Sequence, residues 1–260
     1  MKTKAVVDYI VQWLTDYCDA AGLNGFVIGV SGGVDSAVTS TLCAKTGKTA
    51  VVLNLPIHQT SDQKTLADRH IDWLLDRFPA VKAHTVDLSP VFDRFQEVLP
   101  EEVQDGLVMA NTRSRIRMAA LYAFAGHHGL LVAGTGNKVE DYGVGFFTKY
   151  GDGGVDIAPI ADLLKSEVRL LARELGILSE IAEAVPTDGL WADNRSDEQQ
   201  IGATYDELEW AMAHEASGGV ENGLTARRQA VLGIYRRLNR VNKHKVEPIP
   251  VAVIPGHLRR

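Results

Sequence analysis

The residues best suited to chemistry form the hexapeptide Ser31-Gly32-Gly33-Val34-Asp35-Ser36, between a β-rich run and a helix-like segment. Its glycines allow positive φ angles, so that backbone N–H groups can close on an anion. The N-terminus of the following helix adds partial positive charge, and the hydroxyls of Ser31 and Ser36 can donate to the same group. Asp35 beside a phosphate requires a cation between them, which indicates Mg²⁺. The hexapeptide therefore predicts a phosphate-binding loop with a magnesium ion.

This hexapeptide has two alternative interpretations. It is not a Walker A loop, because the Gly-Lys-[Ser/Thr] ending is absent. A plain glycine turn in which Asp35 caps a helix is the simpler alternative. The preceding strand, the hexapeptide and the following helix all agree, and this agreement favours the phosphate loop.

The elements that must position this loop alternate between strand and helix. We predict strands at 26–30, 50–55, 81–88 and 130–133, and helices at 5–20, 36–45, 66–78, 110–127, 163–175, 204–214 and 225–243. Such alternation is typical of βαβ units and predicts an α/β fold with a doubly wound parallel sheet and additional N- and C-terminal helices. The first and fourth strands both run into glycine-rich loops, at residues 31 and 134. Because ligands bind beyond the carboxyl ends of parallel strands, we expect a cleft between these two strands.

Composition narrows the class of protein. The 260 residues are 45% hydrophobic and 23% charged with a net charge of -6, as in ordinary globular proteins and unlike a general nucleic-acid binder. No apolar run approaches the roughly 20 residues that span a bilayer. Asp8, Gln12 and Asp16 interrupt the N-terminal segment, which is therefore an amphipathic helix pattern and not a signal peptide. We predict a cytoplasmic protein with no nucleic-acid or membrane partner.

The chain has two cysteines, Cys18 and Cys43. They form neither a metal-binding spacing nor a disulfide framework, and each is expected to be an ordinary buried thiol.

The phosphate loop resembles that of the N-type ATP pyrophosphatases, enzymes that cleave ATP between its α- and β-phosphates. This superfamily includes NAD synthetases, GMP synthetases, argininosuccinate synthetases and tRNA-modifying enzymes. Segments 133–140, 145–156 and 111–118 are similar to those of ammonia-dependent NAD synthetases. The stretch between Glu140 and Gly145 is one residue longer than in many members.

The resemblance implies a single NAD synthetase domain over residues 1–260 with the adenine nucleotide alpha-hydrolase-like, Rossmann-like fold. The core sheet would occupy about residues 22–185 and a helical part about residues 186–260. Glutamine-dependent relatives carry an amidase domain, for which the short stretch before the loop leaves no room. Free ammonia is thus the expected nitrogen donor, with a separate amidase subunit as the alternative.

The resemblance also implies roles for individual residues. Asp35 and Glu140 would bind Mg²⁺, and Asp35, Glu140 and Lys165 would be catalytic. The residues implied in ATP binding are Gly29, Val30, Ser31, Gly32, Gly33, Val34, Asp35, Ser36, Thr135, Lys165 and Thr187. Those implied in deamido-NAD binding are Arg115, Lys149, Asp156, His244 and Lys245.

Helix geometry limits how many of the arginines in this segment can reach one site. Arg113 and Arg117 share one face of the predicted helix and Arg115 points almost the opposite way, so all three cannot serve one site. The resemblance selects Arg115.

The family's reaction is amidation of deamido-NAD with ATP and ammonia through an NAD-adenylate, which releases AMP and pyrophosphate, and its members form homodimers. Two rival functions remain. A tRNA-thiolating or lysidine-forming enzyme would share the loop but would carry basic surfaces and often catalytic cysteines. A nucleotide-sensing module would keep the glycines but would have no reason to pair Asp35 with Glu140 and Lys165.

Overall fold

Four parallel strands form a sheet in a computed structural model that describes residues 1–59, 61–186, 196–220 and 222–259. The strands are β1 (Gly25–Gly29), β2 (Thr49–Asn54), β3 (Val81–Thr85) and β4 (Leu131–Val132), in the order β3-β2-β1-β4. Strand β1 pairs with β2 on one side and with β4 on the other. The strand order therefore reverses between β1 and β4, and this is the switch point at which open α/β sheets bind ligands.

Ten α-helices are described around the sheet. They are α1 (Thr3–Ala20), α2 (Val34–Lys45), α3 (Ser61–Arg77), α4 (Ser89–Val98), α5 (Gly106–His128), α6 (Lys165–Glu174), α7 (Ser179–Ala182), α8 (Asp197–Ile201), α9 (Tyr205–Ala216) and α10 (Ala226–Val246). A π-helix, Val139–Val144, follows β4. Among the described residues, no helix is both long enough and apolar enough to cross a membrane.

Alternate side chains of β1 pack on opposite faces of the sheet. Phe26 and Ile28 lie in the cluster that includes α1, α2 and α6, whereas Val27 lies in the cluster that includes α4 and α5. All three are completely buried. Helices thus cover both faces, which explains the continuous apolar sequence of the strand and confirms the predicted doubly wound α/β fold.

A third cluster lies beside the sheet. Val139 and Val144 of the π-helix pack there against Tyr205, Leu208 and Val231 from α9 and α10. The C-terminal helices therefore cover the segment that follows β4.

Several element boundaries differ from the prediction. Helix α5 begins four residues earlier because the Asp105 carboxylate accepts hydrogen bonds from the backbone N–H groups of Leu107 and Val108. Strand β3 ends at Thr85, so the predicted strand was three residues too long. Helix α4 was not predicted. It has a proline in its first turn, where the missing N–H costs nothing, and it buries Phe92.

His70 of α3 is a buried titratable group away from the cleft. Its side chain is fully buried, its Nε2 lies 2.9 Å from Ser40 Oγ, and its ring stacks on Trp73. Burial lowers the pKa of His70 to about 4. The unfolded chain, with a histidine pKa near 6.5, therefore binds a proton between about pH 6.5 and 4 that the folded chain does not. Acidification through this window must reduce stability.

We expect His70→Gln, which keeps a polar partner for Ser40, to remove this loss. Urea unfolding at pH 7 and 4.5 should show about 2–3 kcal/mol less acid destabilisation in the variant than in the wild type. His257→Gln, at an exposed position, is the control and should behave as the wild type does. Equal acid destabilisation of His70→Gln and wild type would contradict the assignment.

Candidate active site

The predicted phosphate loop joins β1 to α2 in a preformed conformation. Gly32 has φ of 86°, in the left-handed region that favours glycine. The Ser36 hydroxyl donates to the Gly33 carbonyl at 2.9 Å and accepts from the Ser31 N–H at 3.2 Å. These bonds hold the loop closed at the N-terminus of α2, the geometry expected of an anion-binding site.

The loop forms one wall of a cavity of about 490 Å³, within the range of small-molecule sites. The cavity extends over the carboxyl ends of β1, β2 and β4, which confirms the cleft predicted between the first and fourth strands. The predicted ATP-binding residues that line it are Gly29, Val30, Ser31, Gly32, Gly33, Val34, Asp35, Ser36, Thr135 and Lys165. Thr187 lies outside the described residues.

Three charged side chains from separate elements meet in this cavity. Lys165, the first residue of α6, places its Nζ 2.6 Å from Asp35 Oδ2 and 2.9 Å from Glu140 Oε1. The lysine side chain is 3% exposed, and the two carboxylates are 16% and 15% exposed. The three residues predicted to be catalytic are therefore in direct contact.

Burial and charge act in opposite directions on this trio. Burial alone lowers the pKa of Lys165, but the adjacent charges of Asp35 and Glu140 outweigh it and raise that pKa. Burial raises the pKa of Asp35 against the attraction of Lys165, and the charge of Glu140 raises it further. The lysine stays protonated, and with both carboxylates ionised the trio carries one net negative charge.

Two residues that the sequence did not single out complete the cluster. Asn137 Nδ2 donates to Asp35 Oδ1 at 3.1 Å, and Asn137 Oδ1 accepts from the Glu140 N–H at 3.1 Å. The Tyr205 hydroxyl donates to Glu140 Oε1 at 2.5 Å, and burial raises the pKa of that tyrosine. Asn137 stands inside a motif already noted, but nothing local in the sequence connects Tyr205 to the site.

The donor set suits a magnesium ion. Mg²⁺ prefers oxygen ligands and is commonly held by one or two carboxylates together with substrate phosphates and water. Asp35 and Glu140 supply two carboxylates that already share one cationic group, Lys165 Nζ, beside the phosphate loop. The described residues contain no cluster of three or more His, Cys, Asp or Glu side chains able to hold a metal, so a metal here would depend on phosphate oxygens as well.

Four of the five residues predicted to bind deamido-NAD, Arg115, Lys149, His244 and Lys245, lie together around the loop that begins at Gly145. Among these four, Lys245 is the one whose residue lines the cavity. Lys149 Nζ donates to the His244 carbonyl at 2.5 Å, and Arg115 Nε donates to the Lys149 carbonyl at 3.3 Å. Lys245 lines the cavity and its Nζ donates to the carbonyls of Gly145 and Phe147, both at 2.9 Å. These contacts fix the loop that begins at Gly145 against α10.

Asp156 lies apart from this group. Its carboxylate accepts hydrogen bonds from the Val132 N–H at 2.8 Å and from the Tyr122 hydroxyl at 2.9 Å. Burial and this contact raise the pKa of Tyr122 to about 12. The side chain of Asp156 therefore joins β4 to α5 in this structure.

Helix α5 turns one face towards the cavity. The residues on that face are Leu107, Ala110, Asn111, Ser114, Arg117, Met118 and Leu121. Arg117 Nε donates to the Leu55 carbonyl at 2.9 Å. Arg115 is exposed and lies outside this face, whereas Arg117 lies within it and is an additional cation in the cavity wall.

Comparisons with known proteins show which proteins this chain is similar to. A family model described as NAD synthase matches residues 6–249. The chain is 37% identical to an NH(3)-dependent NAD(+) synthetase of Mesoplasma florum over 83% of this chain and 86% of that protein. It is 36% identical to the NH(3)-dependent NAD(+) synthetase of Syntrophomonas wolfei over the full length of both. A solved structure of NMN synthetase from Francisella tularensis superposes with a TM-score of 0.85 and 31% identity, covering 98% of this chain and 99% of that one.

Proposed function

This chain belongs to the NAD synthase family, and we propose that it converts deamido-NAD to NAD with ATP and ammonia, releasing AMP and pyrophosphate. The observation that carries the proposal is the contact of Lys165 with both Asp35 and Glu140 beside the phosphate loop. The match of the NAD synthase family model to residues 6–249 disfavours a tRNA-modifying enzyme. A sensing module needs no buried charge trio at the phosphates, and both cysteines, which a thiolating enzyme would use, are buried.

In the first step, an oxygen of the nicotinate carboxylate attacks the α-phosphorus of ATP. The bond from that phosphorus to the bridging oxygen breaks, and pyrophosphate leaves with its electron pair. Lys165 and the backbone N–H groups of residues 31–36 stabilise the charge that develops on the phosphates. Asp35 and Glu140 would hold Mg²⁺, which when bound supplies further charge neutralisation.

In the second step, ammonia attacks the carbonyl carbon of the NAD-adenylate. The carbon–oxygen bond to AMP breaks, AMP leaves with that oxygen, and the nitrogen loses a proton to solvent. Adenylation is needed because a carboxylate is a poor acceptor for ammonia. The protein contributes placement and charge stabilisation, and no covalent bond to the enzyme forms.

The basic residues around the loop that begins at Gly145 suit the anionic part of deamido-NAD, and Lys245 among them lines the cavity. Lys149, Lys245 and Arg115 lie close together there, with His244 beside them. Arg117 adds positive charge within the wall. Asp156 would act mainly by holding the end of β4, although the family resemblance assigns it to the substrate.

A second candidate substrate comes from one of the similar structures, which is an NMN synthetase. That enzyme's product is a mononucleotide, so the corresponding substrate here would be nicotinate mononucleotide. The chemistry at the carboxylate would be the same. The two candidates differ only in whether the cavity must bind an adenylate half of the acceptor.

Steady-state assays separate these possibilities. Purified protein is given ATP and Mg²⁺, each acceptor in turn, and either ammonium or glutamine, and all products are quantified. We expect NAD, AMP and pyrophosphate in equal amounts with deamido-NAD and ammonium, and no turnover with glutamine. A kcat/KM that is higher for the mononucleotide would establish the second candidate instead. Formation of ADP and phosphate, or AMP formation that needs no acceptor, would contradict both.

We also propose a homodimer in the cytoplasm, where ATP and deamido-NAD occur. An apolar strip on α4 and α5 supports the dimer. Val91, Phe95 and Val98 lie along one face of α4 and are 43–63% exposed, and Leu107 of α5 is 60% exposed and also lines the cavity. A second copy covering this strip would stand beside the substrate.

Val98→Asp is therefore expected to shift the protein from dimer to monomer. Light scattering coupled to size exclusion should give twice 28.3 kDa for the wild type and 28.3 kDa for the variant. Val220→Asp changes an exposed valine outside this strip and should leave the dimer intact. A dimer that survives Val98→Asp and Phe95→Glu together would exclude this strip as the interface.

A further inference from the structure

Tyr205 is placed rigidly at the start of α9. The Thr204 hydroxyl accepts from the Glu207 N–H, and the Glu207 carboxylate accepts from the Thr204 N–H, so that a capping box fixes the first turn. The Tyr205 N–H donates to Glu198 Oε1 at 2.9 Å. The side chain is 1% exposed. Its hydroxyl therefore has little freedom to move.

That hydroxyl is directed at one carboxylate of the site. It lies 2.5 Å from Glu140 Oε1 and 3.3 Å from Asp197 Oδ2, and since it has one proton, the shorter contact takes it. Glu140 Oε1 also accepts from Lys165 Nζ at 2.9 Å. The same oxygen thus has two donors, one from α6 and one from α9.

Helix α9 makes a second attachment to the site. Glu209 accepts hydrogen bonds from the Ser166 N–H at 2.9 Å and the Ser166 hydroxyl at 2.7 Å, directly beside Lys165. The Tyr205 ring itself lies 4.7 Å from Lys165 Nζ. One helix outside the sheet therefore contacts both the carboxylate of Glu140 and the turn that carries Lys165.

We propose that Tyr205 is a positioning residue, whose hydroxyl holds the Glu140 carboxylate towards Asp35 so that the two can bind one divalent cation with ATP. The proposal rests on the function proposed above. Groups that hydrogen-bond to metal-binding carboxylates orient them, and losing one typically weakens metal affinity 10- to 100-fold. The C-terminal helices would then complete the metal site as well as cover it.

Tyr205→Phe tests the hydroxyl alone, because phenylalanine keeps the ring beside Lys165. Tyr235→Phe removes a hydroxyl from the same apolar cluster and is the matched control, because the charged group that acts on Tyr235 is Glu215 and not a member of the trio. Mn²⁺ binding is measured by electron paramagnetic resonance with a non-hydrolysable ATP analogue, together with the Mg²⁺ concentration that gives half-maximal turnover. We expect the Mn²⁺ dissociation constant and the half-maximal Mg²⁺ concentration to rise by about tenfold or more in Tyr205→Phe. Both values should stay unchanged in Tyr235→Phe.

If Tyr205→Phe also loses stability, a comparison of Mn²⁺ affinity in two backgrounds, wild type and Glu140→Gln, still tests the proposal. If Tyr205 acts through Glu140, adding Tyr205→Phe to Glu140→Gln should change Mn²⁺ affinity by less than about twofold. Unchanged Mn²⁺ affinity in Tyr205→Phe, or an equal loss in both backgrounds, would overturn the proposal. A wild-type protein that binds Mn²⁺ with the ATP analogue but forms no amide would instead refute the proposed function and leave the role of Tyr205 standing.

Discussion

Replacing Lys165 with methionine is expected to reduce turnover by about 100- to 1,000-fold, the loss typical of removing one transition-state charge stabiliser. Lys165 is buried, contacts both Asp35 and Glu140, and lines the cavity together with the phosphate loop, where we propose that pyrophosphate leaves. Its removal also leaves two buried carboxylates facing each other, which costs about 3–5 kcal/mol of stability. At roughly 2–4 °C per kcal/mol, the melting temperature should fall by about 10 °C. Steady-state rates and thermal unfolding measure the two effects.

Lys138→Met is the matched control for Lys165→Met. Lys138 pairs with Asp162 on the surface at 2.8 Å, and its side chain is 42% exposed. Because exposed ion pairs contribute little, this variant should lose neither turnover nor more than about 1 kcal/mol of stability. A Lys165→Met enzyme that keeps more than about a tenth of wild-type turnover would show that the lysine does not act in the transition state.

Asp35→Asn should inactivate the enzyme without destabilising it. Loss of one of the two carboxylates that we propose bind Mg²⁺ is expected to lower kcat/KM by at least about 100-fold and to raise the Mg²⁺ requirement. Burial raises the pKa of Asp35, so its ionised form opposes folding, and a neutral amide of the same shape removes that cost. Thermal unfolding at pH 7 should therefore show a melting temperature equal to or above that of the wild type.

The contrast between the two variants is itself informative. Both should be nearly inactive, but only Lys165→Met should unfold at a lower temperature. If Asp35→Asn is strongly destabilised, the carboxylate serves mainly to neutralise Lys165. Full activity of Asp35→Asn over the normal range of Mg²⁺ would exclude Asp35 as a metal ligand.

Local sequence predicted the parts of the site that local structure builds. The loop from residue 31 to 36 was found because a strand, two glycines and a helix start are adjacent in the chain. The cleft beside β4 followed from a second glycine-rich strand end and the rule for parallel sheets. The separation of Arg115 from Arg113 and Arg117 followed from helical spacing alone.

Tertiary packing decided what could not be predicted. The face of α5 that lines the cavity depends on how Met109 and Ala125 pack against the sheet. The rotation of the helix about its axis could not be predicted from the local sequence. Tyr205 and Glu140 are 65 positions apart in the chain. The sequence around Tyr205 predicts only a core tyrosine in a capped helix. The resemblance assigns Asp156 to the substrate. Its side chain instead contacts the backbone of β4, because the loop that follows β4 returns the chain to that strand.

In the proposed mechanism the acceptor carboxylate is adenylated before ammonia attacks, and transfer of an oxygen isotope would reveal this step. Deamido-NAD labelled with ¹⁸O in both carboxylate oxygens is turned over with unlabelled ATP and ammonium. The ¹⁸O content of each product is then measured by mass spectrometry. We expect one ¹⁸O in each AMP, one retained in the amide of NAD, and none in pyrophosphate. Unlabelled AMP, or label in inorganic phosphate, would contradict the adenylate and with it the proposed mechanism.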